Sequence, residues 1–115
     1  MARSGIEFGG HTVTHPILQT IGTPEELGFE IAHSKLRIEE ELQEPVAHFA
    51  YPSGKADEIP AAAKEAVRRA GFETAVTAVS GQVGLGDDPL WLHRIGVEPE
   101  LPPWWFERCV ADVWI

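Results

Sequence analysis

Residues 46–79 read VAHFAYPSGKADEIPAAAKEAVRRAGFETAVTAV, and this stretch decides the fold class. Residues 46–51 are apolar and β-prone apart from His48, and Pro52-Ser53-Gly54 supplies the turn that ends them, so a strand is expected here. From Ile59-Pro60 to Ala70 the chain is rich in alanine. Ala63, Ala66, Val67 and Ala70 share one helical stripe, and Gly71 stands where a left-handed cap belongs. Residues 74–79 return to a β-prone composition. Two strands joined by such a helix pair in parallel, because the crossover carries the chain back to the end of the sheet from which it started. The expectation is an α/β fold.

The flanks extend this pattern. Ile6 and Phe8 alternate in residues 5–8, which run into Gly9-Gly10 and read as a short strand ending in a loop. Thr23-Pro24-Glu25-Glu26 is a capping box with proline at the first helical position. Leu27, Ile31, Ile38 and Leu42 follow at helical spacing and predict a helix of about 20 residues, closed by Pro45. Residues 80–89 are a loop rich in Gly and Asp. Residues 90–97 read as a further strand, with Leu90, Leu92 and Arg94 alternating against Trp91, His93 and Ile95. After Leu101-Pro102-Pro103, the residues Trp104, Trp105, Phe106, Cys109, Val110, Val113 and Trp114 make a segment too apolar for a free tail. It is expected to pack on the domain or on a partner chain.

The chain has 115 residues and a formal charge of −9, with no cluster of Lys or Arg. Nucleic acid and anionic membrane are thereby set aside as partners, since either needs a basic patch. The length suffices to bury a core without staples. A single cysteine, Cys109, excludes both an intramolecular disulfide framework and a Cys-rich zinc module. No apolar run approaches a membrane span, and MARSGIEFGG lacks the core of a signal peptide. The chain as written is expected to be cytoplasmic, or exported if Met1 is not the true start.

Two constellations carry chemistry. His11 and His15 have a spacing that lets two imidazoles converge on one metal ion if the segment makes a helical turn, and they follow a strand end, where α/β folds place ligand sites. Coincidence among five histidines is the plainer reading. In Phe49-Ala50-Tyr51-Pro52-Ser53-Gly54 a strand stops in a turn whose N–H groups can face a ligand and stabilise an oxyanion. An ordinary Pro-Ser-Gly turn would look the same.

Taken in order, His11-Thr12-Val13-Thr14-His15, the Phe49 to Gly54 motif, Ala70-Gly71-Phe72 before a strand, and Leu92-His93-Arg94-Ile95 resemble the C-terminal half of the polysaccharide deacetylase family, the NodB-like carbohydrate esterases. The resemblance spans roughly residues 3–97, and the Phe-Ala-Tyr-Pro form looks like the branch acting on N-acetylglucosamine polymers. It implies a distorted (β/α) barrel in which two histidines and an aspartate hold a divalent metal, usually zinc. A water activated by that metal attacks an N-acetyl or O-acetyl carbonyl. Carried over by motif, His11 and His15 are the metal ligands. Tyr51, Pro52 and Ser53 form the oxyanion and substrate segment, with the Ser53 N–H as donor. His93 falls near a motif whose histidine often serves as general acid toward the leaving amine, although an outward-facing strand position explains it equally. Arg94 is expected to anchor acidic groups inside the fold, and His33 and His48 to be structural. The implied partner is an acetylated carbohydrate.

The sequence also departs from the family. Its Thr-Phe-Asp-Asp-Gly run, source of the catalytic base and third metal ligand, is absent, and the adjacent Asp87-Asp88 precede Pro89 in a loop. The arginine that begins the later motif in many members is missing, with Ala50 near its place, and there is no Asp-Trp pair. The reading that follows is a partial (β/α) barrel over residues 1–100 that lacks its first strands, followed by the Trp-rich segment 101–115. Residues 1–5 look like the end of a helix that precedes the first histidine strand. Exposed strand edges would favour a homo-oligomer. Two functions remain open: a truncated metal-dependent hydrolase removing acetyl groups from carbohydrate, active only with aspartates supplied from elsewhere, or an inactive carbohydrate-binding or assembly module on the same scaffold.

Overall fold

The computed structural model of the chain describes residues 5–97 and 99–110. Helix α1 spans Pro24–Leu42, strand β1 His48–Ala50, helix α2 Ala61–Ala70, strand β2 Thr74–Ser80, strand β3 Leu92–Arg94 and helix α3 Pro103–Val110. The three strands form one parallel sheet in the order β1-β2-β3, with Phe49 opposite Ala75 and Val76 opposite Leu92. The α/β expectation holds, and β1-α2-β2 is the crossover unit read from residues 46–79.

Both long helices end in a left-handed cap, and α1 also begins at a side-chain cap. The Thr23 hydroxyl accepts the Glu26 N–H at 3.2 Å, Pro24 opens α1, and Gln43 closes it in the left-handed region. Gly71 closes α2 at φ 94°. Leu27, Ile31 and Ser34 make the buried stripe of α1, and Ala63 and Val67 that of α2. Against them lies the inner face of the sheet, where Phe49, Tyr51, Ala75 and Thr77 are each 2 % exposed or less. Leu18, Val46, Ile59, Phe72 and Leu90 complete the core. Thr77 is tolerated there because its hydroxyl donates to Leu92 O at 3.0 Å and accepts the Val79 N–H at 3.1 Å. The opposite face of the sheet carries Ala50, Val76 and Leu92 in register, all half-buried.

Three expectations need correction. Residues 5–8 form no strand: pairing is confined to a single parallel bridge between Gly10 and Phe49, since only Gly10 offers its N–H and carbonyl to the short β1. The last strand starts at Leu92 rather than residue 90, because Asp88 accepts the Leu90 N–H on Oδ1 at 2.9 Å and the Trp91 N–H on its carbonyl at 3.0 Å. Those donors are thereby diverted into a turn. Arg94 anchors no acidic group among the described residues; its Nε donates to Thr77 O at 2.8 Å.

In the C-terminal segment Trp104 is 55 % exposed and stands edge-on to Trp105. Residues 1–4, Val113 and Trp114, with the side chains of Phe106, Cys109 and Val110, lie outside the described residues. Among the described residues, no helix is long and apolar enough to cross a membrane.

Candidate metal and oxyanion site

Gly10 positions the first histidine. Its N–H donates to His48 O at 2.8 Å and its carbonyl accepts the Ala50 N–H at 2.9 Å, so the residue before His11 is fixed beside β1. A β-carbon at Gly10 would stand 2.7 Å from the Phe72 ring and 3.0 Å from Ser34 Oγ, which is why glycine is needed there.

Beyond Gly10 the chain does not make the helical turn expected between the histidines. Thr12 and His15 instead adopt left-handed backbone, at φ 69° and 59°. Together the two residues cost about 2–4 kcal/mol, given 1–2 for each non-glycine residue placed there. The bends achieve the convergence by another route: the His11 and His15 rings lie 4.7 Å apart, edge to face. Hydrogen bonds offset the strain. The Thr12 hydroxyl accepts the His15 N–H at 3.1 Å. From α1, Glu30 accepts the Val13 and Thr14 N–H groups on Oε1, at 3.0 and 2.9 Å, and the Thr14 hydroxyl on Oε2 at 2.9 Å.

His11 Nδ1 lies 2.6 Å from Ala50 O. A carbonyl only accepts, so Nδ1 carries the proton and Nε2 keeps its lone pair. A histidine that ligates a metal is commonly oriented by this kind of backbone acceptor. The chemistry of the pair therefore fits two ligand positions. Among the described residues no third His, Cys, Asp or Glu joins them.

Ala50 also leads into the second motif. Tyr51 and Pro52 are fully buried. The Tyr51 N–H donates to Val76 O at 3.1 Å and its hydroxyl to Leu90 O at 2.8 Å, so neither donor is left for a ligand. Burial pushes its phenol well above the usual range, with the Asp88 charge adding to the push, and the hydroxyl stays a donor. Ser53 is different. It is exposed and sits at φ 59° in the centre of a three-residue turn closed by the Gly54 N–H on Pro52 O at 2.6 Å. Among the described residues its own N–H has no partner. Gly54 in turn abuts β2, where a β-carbon would meet Ala78 N at 2.6 Å.

The remaining histidines stand elsewhere. His93 is on β3, which β2 separates from β1, and its ring packs over Gly81, so it joins neither His11 nor His15 among the described residues. His48 bridges Thr74 Oγ1 at 2.6 Å and Glu7 at 3.1 Å, and His33 stacks on Phe29. Asp88 pairs with Lys64, and that pairing, with the Leu90 N–H, holds its carboxyl below the usual range. Asp87 accepts the Gly84 N–H at 2.8 Å. Both aspartates thus staple their own loop. Glu30 was not visible as a site residue in the sequence, because its partners are set by how α1 lies against the histidine loop.

No curated protein matches the chain significantly. Among solved structures, it is similar to the deacetylase PplD of Streptococcus pyogenes, solved in complex with acetate, at 26 % identity and a TM-score of 0.78 over 94 % of this chain and 45 % of that one. A polysaccharide deacetylase from Bacillus cereus gives 25 % identity and a TM-score of 0.76 over 98 % of this chain and 34 % of its own. IcaB from Ammonifex degensii gives 25 % and 0.74 over 86 % and 45 %. The chain thus spans less than half the length of each of these relatives, and its sheet is a partial barrel of their type. The sequence model of the family described as polysaccharide deacetylase matches residues 1–75, the span that holds both histidines and the Ser53 turn, and the chain belongs to that family.

Proposed function

We propose that this chain carries the histidine pair and the oxyanion turn of a metal-dependent hydrolase that removes acetyl groups from N-acetylated or O-acetylated carbohydrate. The observation that carries the reading is the bond from His11 Nδ1 to Ala50 O, which leaves Nε2 available beside the converging His15 ring. A divalent metal, zinc by the family's habit, would activate water and polarise the acetyl carbonyl. The chain's own residues do the rest. His11 and His15 hold the ion. The Ser53 N–H, unpaired at a preset turn, donates to charge that develops on the carbonyl oxygen. Tyr51 and Pro52 fix that turn from the core. That PplD was solved with acetate, the product of such a reaction, supports the same class of substrate.

The reaction also needs a base and a third ligand, and the proposal places both on carboxylates outside these 115 residues, on a preceding segment or another chain. His93 stays a proposed general acid only if such a partner brings substrate to β3. Self-association belongs to the same reading, since β3 has no outer neighbour among the described residues and Trp104 is exposed. Sedimentation of the chain would show a dimer or larger species.

The test is metal content and deacetylation of an acetylated chito-oligosaccharide, for this chain and for a version extended upstream through any Asp-Asp motif in frame. Zinc uptake by both with turnover only in the extended form is expected. Zinc uptake with turnover in neither would favour the second reading, an inactive carbohydrate-binding or assembly module, which the missing third ligand supports. No zinc in either overturns the metal reading.

A further inference from the structure

We infer that Glu30 is the positioning residue of the histidine loop: from α1 it holds the strained backbone between His11 and His15 in the one shape that faces the two imidazoles toward each other. The inference deepens the proposed function and rests on its reading of His11 and His15 as ligands.

Three observations lead to it. The loop contains two non-glycine residues in left-handed backbone, one of them the β-branched Thr12, and such a shape persists only where surrounding structure over-determines it. Glu30 accepts every hydrogen bond that α1 receives from the loop, two from consecutive N–H groups and one from the Thr14 hydroxyl. The acceptor stands one helical turn before Ser34, whose hydroxyl lies beside Gly10. Residues 10–14 are thus fixed along α1 at both ends, at Gly10 by close packing and at Val13 and Thr14 by the carboxylate. Between the fixed ends lies His11, and just beyond them His15. Releasing the Glu30 end frees Thr12 to return to ordinary backbone, which carries the His15 ring away from His11 while leaving the His11 bond to Ala50 in place. Glu30 acts through the loop rather than as a ligand, since both its oxygens accept loop hydrogen bonds and it joins no cluster of metal-binding groups among the described residues.

The test compares the 115-residue chain with Glu30→Ala, Glu30→Gln and Glu40→Ala, the last an exposed glutamate of the same helix paired only with Arg37. Zinc affinity is read by calorimetry, and exchange of the Val13 and Thr14 amides by NMR. Glu30→Ala should weaken zinc binding about 10–100-fold, the usual effect of losing a group that orients a ligand, and speed exchange of both amides. Glu30→Gln keeps an acceptor oxygen for the two N–H groups and should restore most of both, and Glu40→Ala should match the unaltered chain. Unchanged zinc affinity in Glu30→Ala, or unchanged exchange at Val13 and Thr14, overturns the inference. If the unaltered chain binds no zinc, the ligand reading fails by itself. Glu30 is then judged by amide exchange alone, where faster exchange in Glu30→Ala upholds its hold on the loop and unchanged exchange removes it.

Discussion

Phe49 and Ser53 belong to one short stretch of chain, yet one is 2 % exposed between two helices and a sheet while the other is exposed at the centre of a strained turn. The helix-backed face of the sheet is held by apolar burial: Ile31, Phe49, Val67 and Ala75 interlock with no polar group unsatisfied at Thr77. The rim where the strands end is shaped by directed hydrogen bonds that Glu30, Ala50 O and Pro52 O accept. Burial tolerates no lost volume but is indifferent to direction. Hydrogen bonds fix direction and contribute little to global stability. The two regions should therefore fail separately, one by unfolding and the other by losing the arrangement of its histidines.

The largest effect tests the core half of that contrast. Ile31→Ala empties a site with no exposure and should cost about 2–5 kcal/mol in urea unfolding. A loss under about 1 kcal/mol, the range of a half-exposed change, would show that α1 is not part of the core. Gly10→Ala belongs to both regions, because the new methyl group meets the Phe72 ring and displaces the start of the histidine loop. Its expected cost is about 1–3 kcal/mol, with weakened zinc binding in addition; normal zinc binding at that loss would show that the histidine loop is independent of the packing at Gly10.

Acid probes a hydrogen-bonded carboxylate inside the scaffold. Glu39 accepts Lys35 Nζ at 2.7 Å and the Val46 N–H at 2.8 Å, and these bonds hold its carboxyl below the ordinary 4.5. A carboxylate so lowered in the folded chain stabilises it above pH 4.5, and that stabilisation disappears as pH falls through the lower folded value. The gap in stability between the unaltered chain and Glu39→Gln should accordingly narrow on acidification below about pH 4.5. A gap constant down to pH 3 would contradict the sign. The smallest effect on the fold is expected from His15→Asn, which keeps a residue that accepts left-handed backbone. Thermal unfolding should shift by no more than about 0.5 kcal/mol while zinc binding disappears.

How much of this was legible in the sequence follows the same division. The capping box at Thr23 and the alanine stripe before Gly71 announced both helices, because local chemistry decides where helices begin and end. The sequence reading of β2 stops one residue short, whereas those of β1 and β3 run too long. Asp88 takes the amides that would have extended β3, and beside β1 pairing is confined to Gly10, beyond residues 5–8, both matters of tertiary neighbours. His11, His15 and Ser53 are candidates by motif, and the structure brings the two histidine rings to 4.7 Å and sets Ser53 in a turn of positive φ. Tyr51 was marked with Ser53, and the structure gives it a core role because its hydroxyl reaches Leu90 O from the sheet's inner face. Glu30 gave no signal among Glu25, Glu26, Glu39, Glu40 and Glu41 on the same helix.

The bond that orients His11 ends on a main-chain carbonyl, and that has a consequence for how this rim can evolve. Every amino acid brings the same carbonyl, proline included, so no substitution at position 50 deletes the acceptor. The side chain at position 50 can therefore change without the His11 imidazole losing the acceptor that orients it. Side chains along the rim are then free to vary, while the backbone keeps the histidine aimed.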